Sequence, residues 1–94
     1  MVAYEVRLNG RKVATVGLQG VGDLLLVAEC LILSNKKWEA AISADGLQPG
    51  SPDTGEFMTW FKRKLRLGDE VSYRLIETDC VDKPRKISRR KERA

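Results

Sequence analysis

The amino-acid sequence predicts an all-β domain: a small sandwich or open barrel of about six short, mainly antiparallel strands. An Asn-Gly pair at residues 9–10 joins two strand-like segments, and residues 37–44 alternate regularly between two faces. Turn signals recur about every 8–12 residues, which is typical of small antiparallel sandwiches and barrels. We expect residues 1–82 to form this single β domain, because a chain of 94 residues is long enough for one modest core.

The first two strands form a hairpin around Asn9 and Gly10. These residue types adopt the positive φ angles of a type I′ turn, whose twist suits two antiparallel strands. A two-residue loop then predicts three cross-strand pairs: Leu8–Arg11, Val6–Val13 and Tyr4–Thr15. Beyond the turn, apolar side chains at residues 14, 16 and 18 fall on the other face from residue 13. The second strand therefore needs either a bulge near Val13 or burial on both faces.

The segment Leu24–Leu33 follows a glycine-rich turn at residues 17–23 and is apolar except for Glu29. Periodicity alone cannot separate a buried strand from a short helix capped by Asp23. We favour a strand, because the neighbouring segments are strand-like and a helix here would be apolar nearly all round. Cys30 lies inside this run and is expected to be a small core residue.

The second half of the chain carries three further signals. Lys37–Ala44 alternates, with Trp38 as the large side chain of its apolar face. Residues 45–55 hold two prolines and three glycines and predict the longest and most mobile loop. Strands are then predicted at Glu56–Phe61 and, after a turn at Gly68, from Val71 onward.

Three of these segments carry a resemblance. The hairpin Val6-Arg7-Leu8-Asn9-Gly10-Arg11-Lys12, the glycine-rich turn, and the late Leu67-Gly68-Asp69-Glu70-Val71 turn resemble a group of small uncharacterised bacterial proteins. The resemblance covers most of residues 4–77. It implies a β-rich fold and assigns no activity and no functional residue.

The excess positive charge lies at the end of the chain. Residues 83–94 contain seven basic residues and one acid, whereas residues 1–82 contain ten basic and twelve acidic residues, a net charge of −2. A segment this charged, with Ile87 as its only large apolar residue, is expected to be a flexible, disordered tail. Its removal is expected to leave the melting temperature almost unchanged.

The residue types of the chain argue against catalysis. There is no histidine, which removes the commonest general base near neutral pH and the commonest metal ligand. Cys30 and Cys80 are expected to be free thiols. Asp45, Asp53 and Glu56 flank the long loop and could form a carboxylate pair or a cation site, but acids in such loops are usually turn formers. We therefore expect no enzyme, no cofactor and no metal site.

A second basic cluster lies beside Trp60 and Phe61. An exposed aromatic next to cations suits stacking of a single-stranded nucleic acid, although the commoner outcome is that Trp60 or Phe61 fills the core. Together with the tail, the cluster supplies the candidate polyanion-binding residues: Lys62, Arg63, Lys64, Arg66, Lys83, Arg85, Lys86, Arg89, Arg90, Lys91 and Arg93.

These features favour a non-enzymatic binding module with a macromolecular partner, and a protein partner is favoured because residues 1–82 are slightly acidic. The alternative is a non-specific nucleic-acid-binding protein that uses the tail and the Lys62–Arg66 cluster. The sequence shows neither a signal peptide nor an apolar run long enough to span a bilayer, so a cytoplasmic location is expected.

Overall fold

The structure is a computed structural model that describes residues 1–49 and 55–89. These residues form seven strands and no helix, which confirms the predicted all-β class. The strands are β1 (Val2–Leu8), β2 (Arg11–Gly17), β3 (Asp23–Ser34), β4 (Lys37–Pro49), β5 (Gly55–Lys64), β6 (Val71–Glu77) and β7 (Lys86–Arg89).

The strands form two antiparallel sheets that enclose the core between them. One sheet has three strands in the order β2-β1-β6, and the other has four in the order β3-β4-β5-β7. In the four-stranded sheet, β3 and β7 are the edge strands. The buried cluster combines side chains of both sheets: Val6, Ala14, Val16, Ile42, Ala44, Met58, Trp60 and Phe61.

The first hairpin turns at Asn9 and Gly10, whose φ angles of 52° and 80° confirm the predicted positive-φ turn. The predicted register is correct at Leu8–Arg11 and wrong further from the turn. A bulge shifts the register, so that Val6 pairs with Ala14 and Tyr4 pairs with Val16. Both alternatives near Val13 are present, since the bulge turns Ala14 and Val16 into the core and Thr15 on the opposite face is buried as well.

The run Leu24–Leu33 forms most of β3, which confirms the strand interpretation. The long loop predicted for residues 45–55 is wrong for its described part. β4 continues to Pro49 and β5 begins at Gly55. The two strands keep pairing after Asp45, from Gly46 opposite Met58 to Pro49 opposite Gly55. Residues 50–54 lie outside the described residues.

The two tryptophans have different environments. Trp60 and Phe61 are both buried, because a bulge between Ala44 and Asp45 lets two successive residues of β5 face the core. Trp38, which we expected to be the large apolar anchor of β4, is only half-buried. The aromatic pair beside the basic cluster is therefore structural.

The beginning of the supposed tail is ordered. Residues 78–85 cross from the three-stranded to the four-stranded sheet and bind both: the Asp82 amide donates to Thr15 and the Arg85 amide donates to Thr59, each at 2.9 Å. Lys86–Arg89 then pairs with β5 as β7. Disorder was predicted from the high charge and the low apolar content, but a strand at a sheet edge needs little apolar surface because its backbone groups pair with β5. Residues 90–94 lie outside the described residues.

Candidate functional site

The longest open edge of the described structure is β3. It runs for twelve residues and pairs with β4 on one side, and no described strand lies on its other side. Natural edge strands are usually short, or they carry lysines, prolines or bulges that prevent further pairing. Between Leu24 and Ile32, β3 has none of these, and its pairing with β4 shows no register shift.

The backbone groups of β3 alternate between the sheet and its open edge. The Leu65 amide donates to the Ala40 carbonyl at 2.8 Å, which places the backbone groups of Ala40 on the β5 side of β4. Those of Ala41 therefore point toward β3, where they face Glu29. It follows that odd-numbered residues of β3 bond to β4. Five even-numbered residues direct their N–H and C=O groups to the open edge: Leu24, Leu26, Ala28, Cys30 and Ile32.

The outer face of β3, turned away from the three-stranded sheet, is apolar and exposed. Four large side chains lie there, each between 42% and 55% exposed: Leu25, Val27, Leu31 and Leu33. We call these four residues the outer strip. Their neighbours on β4 are mainly polar, since Asp45 faces Leu25 and Glu39 faces Leu31. The apolar surface of this face is thus concentrated at the edge of the sheet.

The inner face of the same hairpin extends beyond the three-stranded sheet and forms a groove of about 450 Å³. Cys30, Ile32 and Trp38 lie on one side, and the turn after β5, including Leu65 and Leu67, lies on the other. Ile32 is 72% exposed. Cys30 is also exposed, which corrects its assignment to the core, because this part of β3 has no sheet packed over it. β3 is therefore apolar on both faces; its outer face is exposed along the strand, and its inner face is exposed from Ala28 to Ile32.

The residues of the basic cluster do not share one surface. Lys62 and Lys64 face outward from β5, whereas Arg63 points to the opposite face and Arg66 lies in the following turn. Lys86 pairs opposite Thr59, which puts it on the same outer face. Lys62 and Lys64 border a groove on this face together with Glu29 and Glu39.

The remaining candidate cations are spread over the C-terminal segment. Lys83 and Arg85 are exposed in the crossing segment, and Arg89 pairs opposite Glu56 at the end of β7. Three candidates lie outside the described residues: Arg90, Lys91 and Arg93. Among the candidates that the structure describes, it therefore does not bring all the cations together into one site.

Asp45, one of the three carboxylates that flank the predicted loop, has a side-chain partner in the described residues. The Asp45 carboxylate accepts a hydrogen bond from the Thr59 hydroxyl at 3.0 Å. Glu56 lies opposite Gln48 in the β4–β5 ladder, and Asp53 is outside the described residues. Among residues 1–49 and 55–89, no cluster of three cysteines or acids is close enough to hold a metal ion.

A polar clamp joins two turns at the far end of the molecule. The side-chain amide of Asn9 donates to the Asp69 carboxylate at 3.0 Å. The backbone amide of Glu70 donates to the side-chain oxygen of Asn9 at 2.9 Å. The Arg66 amide donates to the Asp69 carboxylate at 2.7 Å. These hydrogen bonds, from Arg66 first and Asn9 second, hold the pKa of Asp69 below its ordinary value of 3.8. Asn9 and Asp69 therefore serve the fold.

Other perturbed groups are isolated from one another. The Arg7 side chain donates to the Glu5 carboxylate at 2.8 Å and lowers the pKa of Glu5. Burial raises the pKa of Tyr73. In the β1–β6 ladder Glu5 lies opposite Arg74 and Tyr73 lies opposite Val6, so the two side chains are on opposite faces of the three-stranded sheet.

Comparison of the chain with protein families, with curated proteins and with solved structures finds no match. Within the described ranges, no helix has the length and apolarity required to cross a bilayer. The function is therefore inferred from the geometry of the chain itself.

Sequence reasoning placed the candidate site in the basic residues and missed the β3 edge. The signal was present, since residues 24–33 were recognised as an apolar strand. Such an apolar run is typical of a strand in the middle of a sheet, with both of its faces covered. Its position at an edge depends on strand order, which local patterns do not reveal.

Proposed function

We propose that the protein is a non-enzymatic binding module that engages a protein partner along the open edge of β3. The observation that carries this proposal is a twelve-residue edge strand that is apolar on both faces. An extended segment of a partner can add to such an edge through backbone hydrogen bonds, while side-chain contacts on alternate positions give specificity.

The distribution of polar groups supports a protein partner. The outer strip and Ile32 supply apolar contacts on both sides of the edge, and the five even-numbered residues supply backbone donors and acceptors. Glu29 is the only charged residue between Leu24 and Leu33, so a polyanion finds no cation there. An extended polypeptide satisfies both kinds of group at once.

The experiment places a photo-cross-linking amino acid, p-benzoylphenylalanine, at Val27 in the full chain expressed in cells. A matched variant carries it at Arg74, which is exposed on β6 of the other sheet. We expect protein adducts at position 27 at several-fold higher yield than at position 74.

Dependence on the open edge is tested by adding Ala28→Pro to the Val27 variant. The Ala28 amide points away from β4, so proline removes an edge donor and leaves the β3–β4 ladder intact. We expect the adducts to disappear while the circular dichroism spectrum is retained. Equal adduct yields at positions 27 and 74, or adducts unaffected by Ala28→Pro, would exclude the β3 edge as the binding surface.

A second candidate function, binding of single-stranded nucleic acid, is favoured by one observation. Phe57 is 43% exposed on the outer face, the face that also carries Lys62, Lys64 and Lys86. A base can stack on an exposed aromatic ring while lysines contact the phosphates. Glu29 and Glu39 lie on the same face and weaken the attraction for phosphates, so a protein partner is favoured over a nucleic acid.

Fluorescence anisotropy with a labelled oligothymidine tests this candidate. Three phosphate contacts predict a slope of log affinity against log salt of about −2, at roughly 0.7 per contact for single strands. Phe57→Ala and the triple variant Lys62→Gln/Lys64→Gln/Lys86→Gln should each weaken binding, and the triple variant should flatten the slope. Negligible binding by the unmodified chain at low salt would end this candidate.

A further inference from the structure

We infer that the partner of the β3 edge is a second copy of this chain, bound by antiparallel pairing of two β3 strands about a two-fold axis through Ala28. This inference rests on the proposed function, because it names the occupant of the same edge. The result would be a continuous eight-stranded sheet built from two four-stranded sheets.

The backbone geometry selects the register. In a two-fold antiparallel pair, opposite residues lie on the same face, so only registers centred on one residue are allowed. Centring on Ala28 pairs all five edge-facing residues with one another: Ala28 with Ala28, Leu26 with Cys30, and Leu24 with Ile32. This forms about ten hydrogen bonds and satisfies every edge-directed group of this run. A shift in either direction leaves some of these groups unpaired.

The side chains select the same register. Centring on Ala28 places Leu25 opposite Leu31 on the outer face and Leu24 opposite Ile32 on the inner face. Centring on Glu29 instead places two carboxylates directly opposite each other, which is unfavourable. In the Ala28 register, Glu29 faces Val27 and remains open to solvent. One strand is therefore complementary to itself in apolar pattern and backbone spacing, and this register opposes no like charges.

Self-pairing also accounts for the most exposed apolar residue of β3. Ile32 is 72% exposed in one chain, on the part of β3 that lacks a covering sheet. Leu24 of the second copy would lie beside it, and Leu24 packs against the main core of its own chain. In the dimer, the covered core around Leu24 of the second copy would thus lie next to the exposed end of β3.

The first test measures mass by light scattering and sedimentation over a wide concentration range. The unmodified chain is expected at about twice 10.6 kDa, with dissociation on dilution. Leu25→Lys/Leu31→Lys puts lysine opposite lysine twice and should abolish the dimer. Leu25→Glu/Leu31→Glu should do the same. A 1:1 mixture of the two variants should restore a dimer, because each lysine then faces a glutamate.

The second test reads the register by disulfide formation. In a chain that carries Ala28→Cys, Cys30→Ser and Cys80→Ser, the two Cα atoms at position 28 would lie about 5.5 Å apart, which a disulfide can bridge. The matched control is Cys80→Ser, which keeps native Cys30 on the same edge. The two Cys30 residues would be about 14 Å apart along the strands and should not cross-link.

The outcomes separate this inference from the proposed function. A chain that stays monomeric at all concentrations overturns the second copy, while adducts from Val27 to a different protein would still support the proposed function. A dimer that survives both charge variants uses another surface and overturns the inference. Failure of the mixture to recover the dimer, or faster cross-linking through Cys30 than through position 28, overturns the Ala28 register.

Discussion

Gly46 lies where β4 passes over the ring of Trp60, and replacing it with alanine tests how tightly the core is packed. Its φ angle is not positive, so glycine is not required there by backbone conformation. An added Cβ would lie 2.9 Å from Cζ3 and 3.1 Å from Cη2 of Trp60, and 3.3 Å from Cδ2 of Leu18. Contacts this short require the neighbouring groups to move.

The Trp60 ring cannot move freely. It is 4% exposed, and its Nε1 donates to the Asp82 carbonyl at 2.8 Å. Gly→Ala at a compatible site stabilises a protein by about 0.4–1 kcal/mol, whereas overpacking a core costs about 1–3 kcal/mol. We expect Gly46→Ala to lower the free energy of unfolding by about 1–2 kcal/mol. For a domain of this size, the melting temperature should fall by about 4–16 °C.

The assay is urea and thermal unfolding followed by circular dichroism. Gly55→Ala is the matched control, because an added Cβ there would lie 3.8 Å from Cδ1 of Leu47, an ordinary contact distance. We expect the control to be neutral or slightly stabilising. A Gly46→Ala protein as stable as the unmodified chain would refute the packing described around Trp60.

A double-mutant cycle assigns the cost to one contact. Phenylalanine at position 60 lacks the distal indole ring atoms that the new Cβ would touch. Gly46→Ala should therefore cost less in a Trp60→Phe background, with a coupling energy of about 1 kcal/mol. Purely additive effects would show that Leu18 or the backbone, and not Trp60, resists the added methyl group.

Three further predictions concern the core, the clamp and the C-terminal segment. Ile42 is fully buried, so Ile42→Ala should lower the free energy of unfolding by about 2–5 kcal/mol. Ile42→Val should lower it by about 0.5–1.5 kcal/mol, both measured in urea titrations. A loss under about 1 kcal/mol for alanine would contradict the described core. The pKa of Asp69 is lowered in the folded state, so its contribution is present above the ordinary value of 3.8 and is lost as the pH falls through the folded value. The difference in melting temperature between the unmodified chain and Asp69→Asn should therefore shrink as the pH falls from neutral to well below 3.8, and a constant difference would contradict the clamp. Removal of residues 83–94 deletes β7 and the backbone hydrogen bond from Arg85 to Thr59. The melting temperature should therefore fall by more than the few degrees expected for a disordered tail. An unchanged value would show that β7 contributes nothing to stability.

The elements defined by short-range chemistry were predictable. The Asn9-Gly10 turn and the Gly68 turn depend on residue types that tolerate positive φ, and both appear in the structure. The strand at Leu24–Leu33 was also identified, because its apolar run fits a strand better than a helix. Pairs close to the turn followed from the loop length. The register further away depended on a bulge, and the sequence indicated only that a bulge was one of two solutions.

The elements defined by tertiary pairing were not predictable. β7 has one large apolar residue, Ile87, and its stability comes from backbone bonding to β5. The extension of β4 to Pro49 likewise depends on β5 as a partner, and it overrides the turn preference of the glycines and prolines in that segment. Local composition reports what a segment prefers alone, whereas both segments are held by a neighbouring strand.

The same distinction bears on the candidate site. The composition of β3 is that of a strand covered on both faces and paired on both sides, yet the single chain covers neither face of its distal half and pairs only one side. The β1–β2 register, the extension of β4 and the order of β7 are each explained within the chain by a bulge or a neighbouring strand. At β3 no described element of the chain supplies the missing neighbour. A second β3 in the Ala28 register supplies it and places apolar residues opposite apolar residues on both faces. In that assembly β3 is paired on both sides, and the mixed lysine and glutamate variants decide whether the assembly exists.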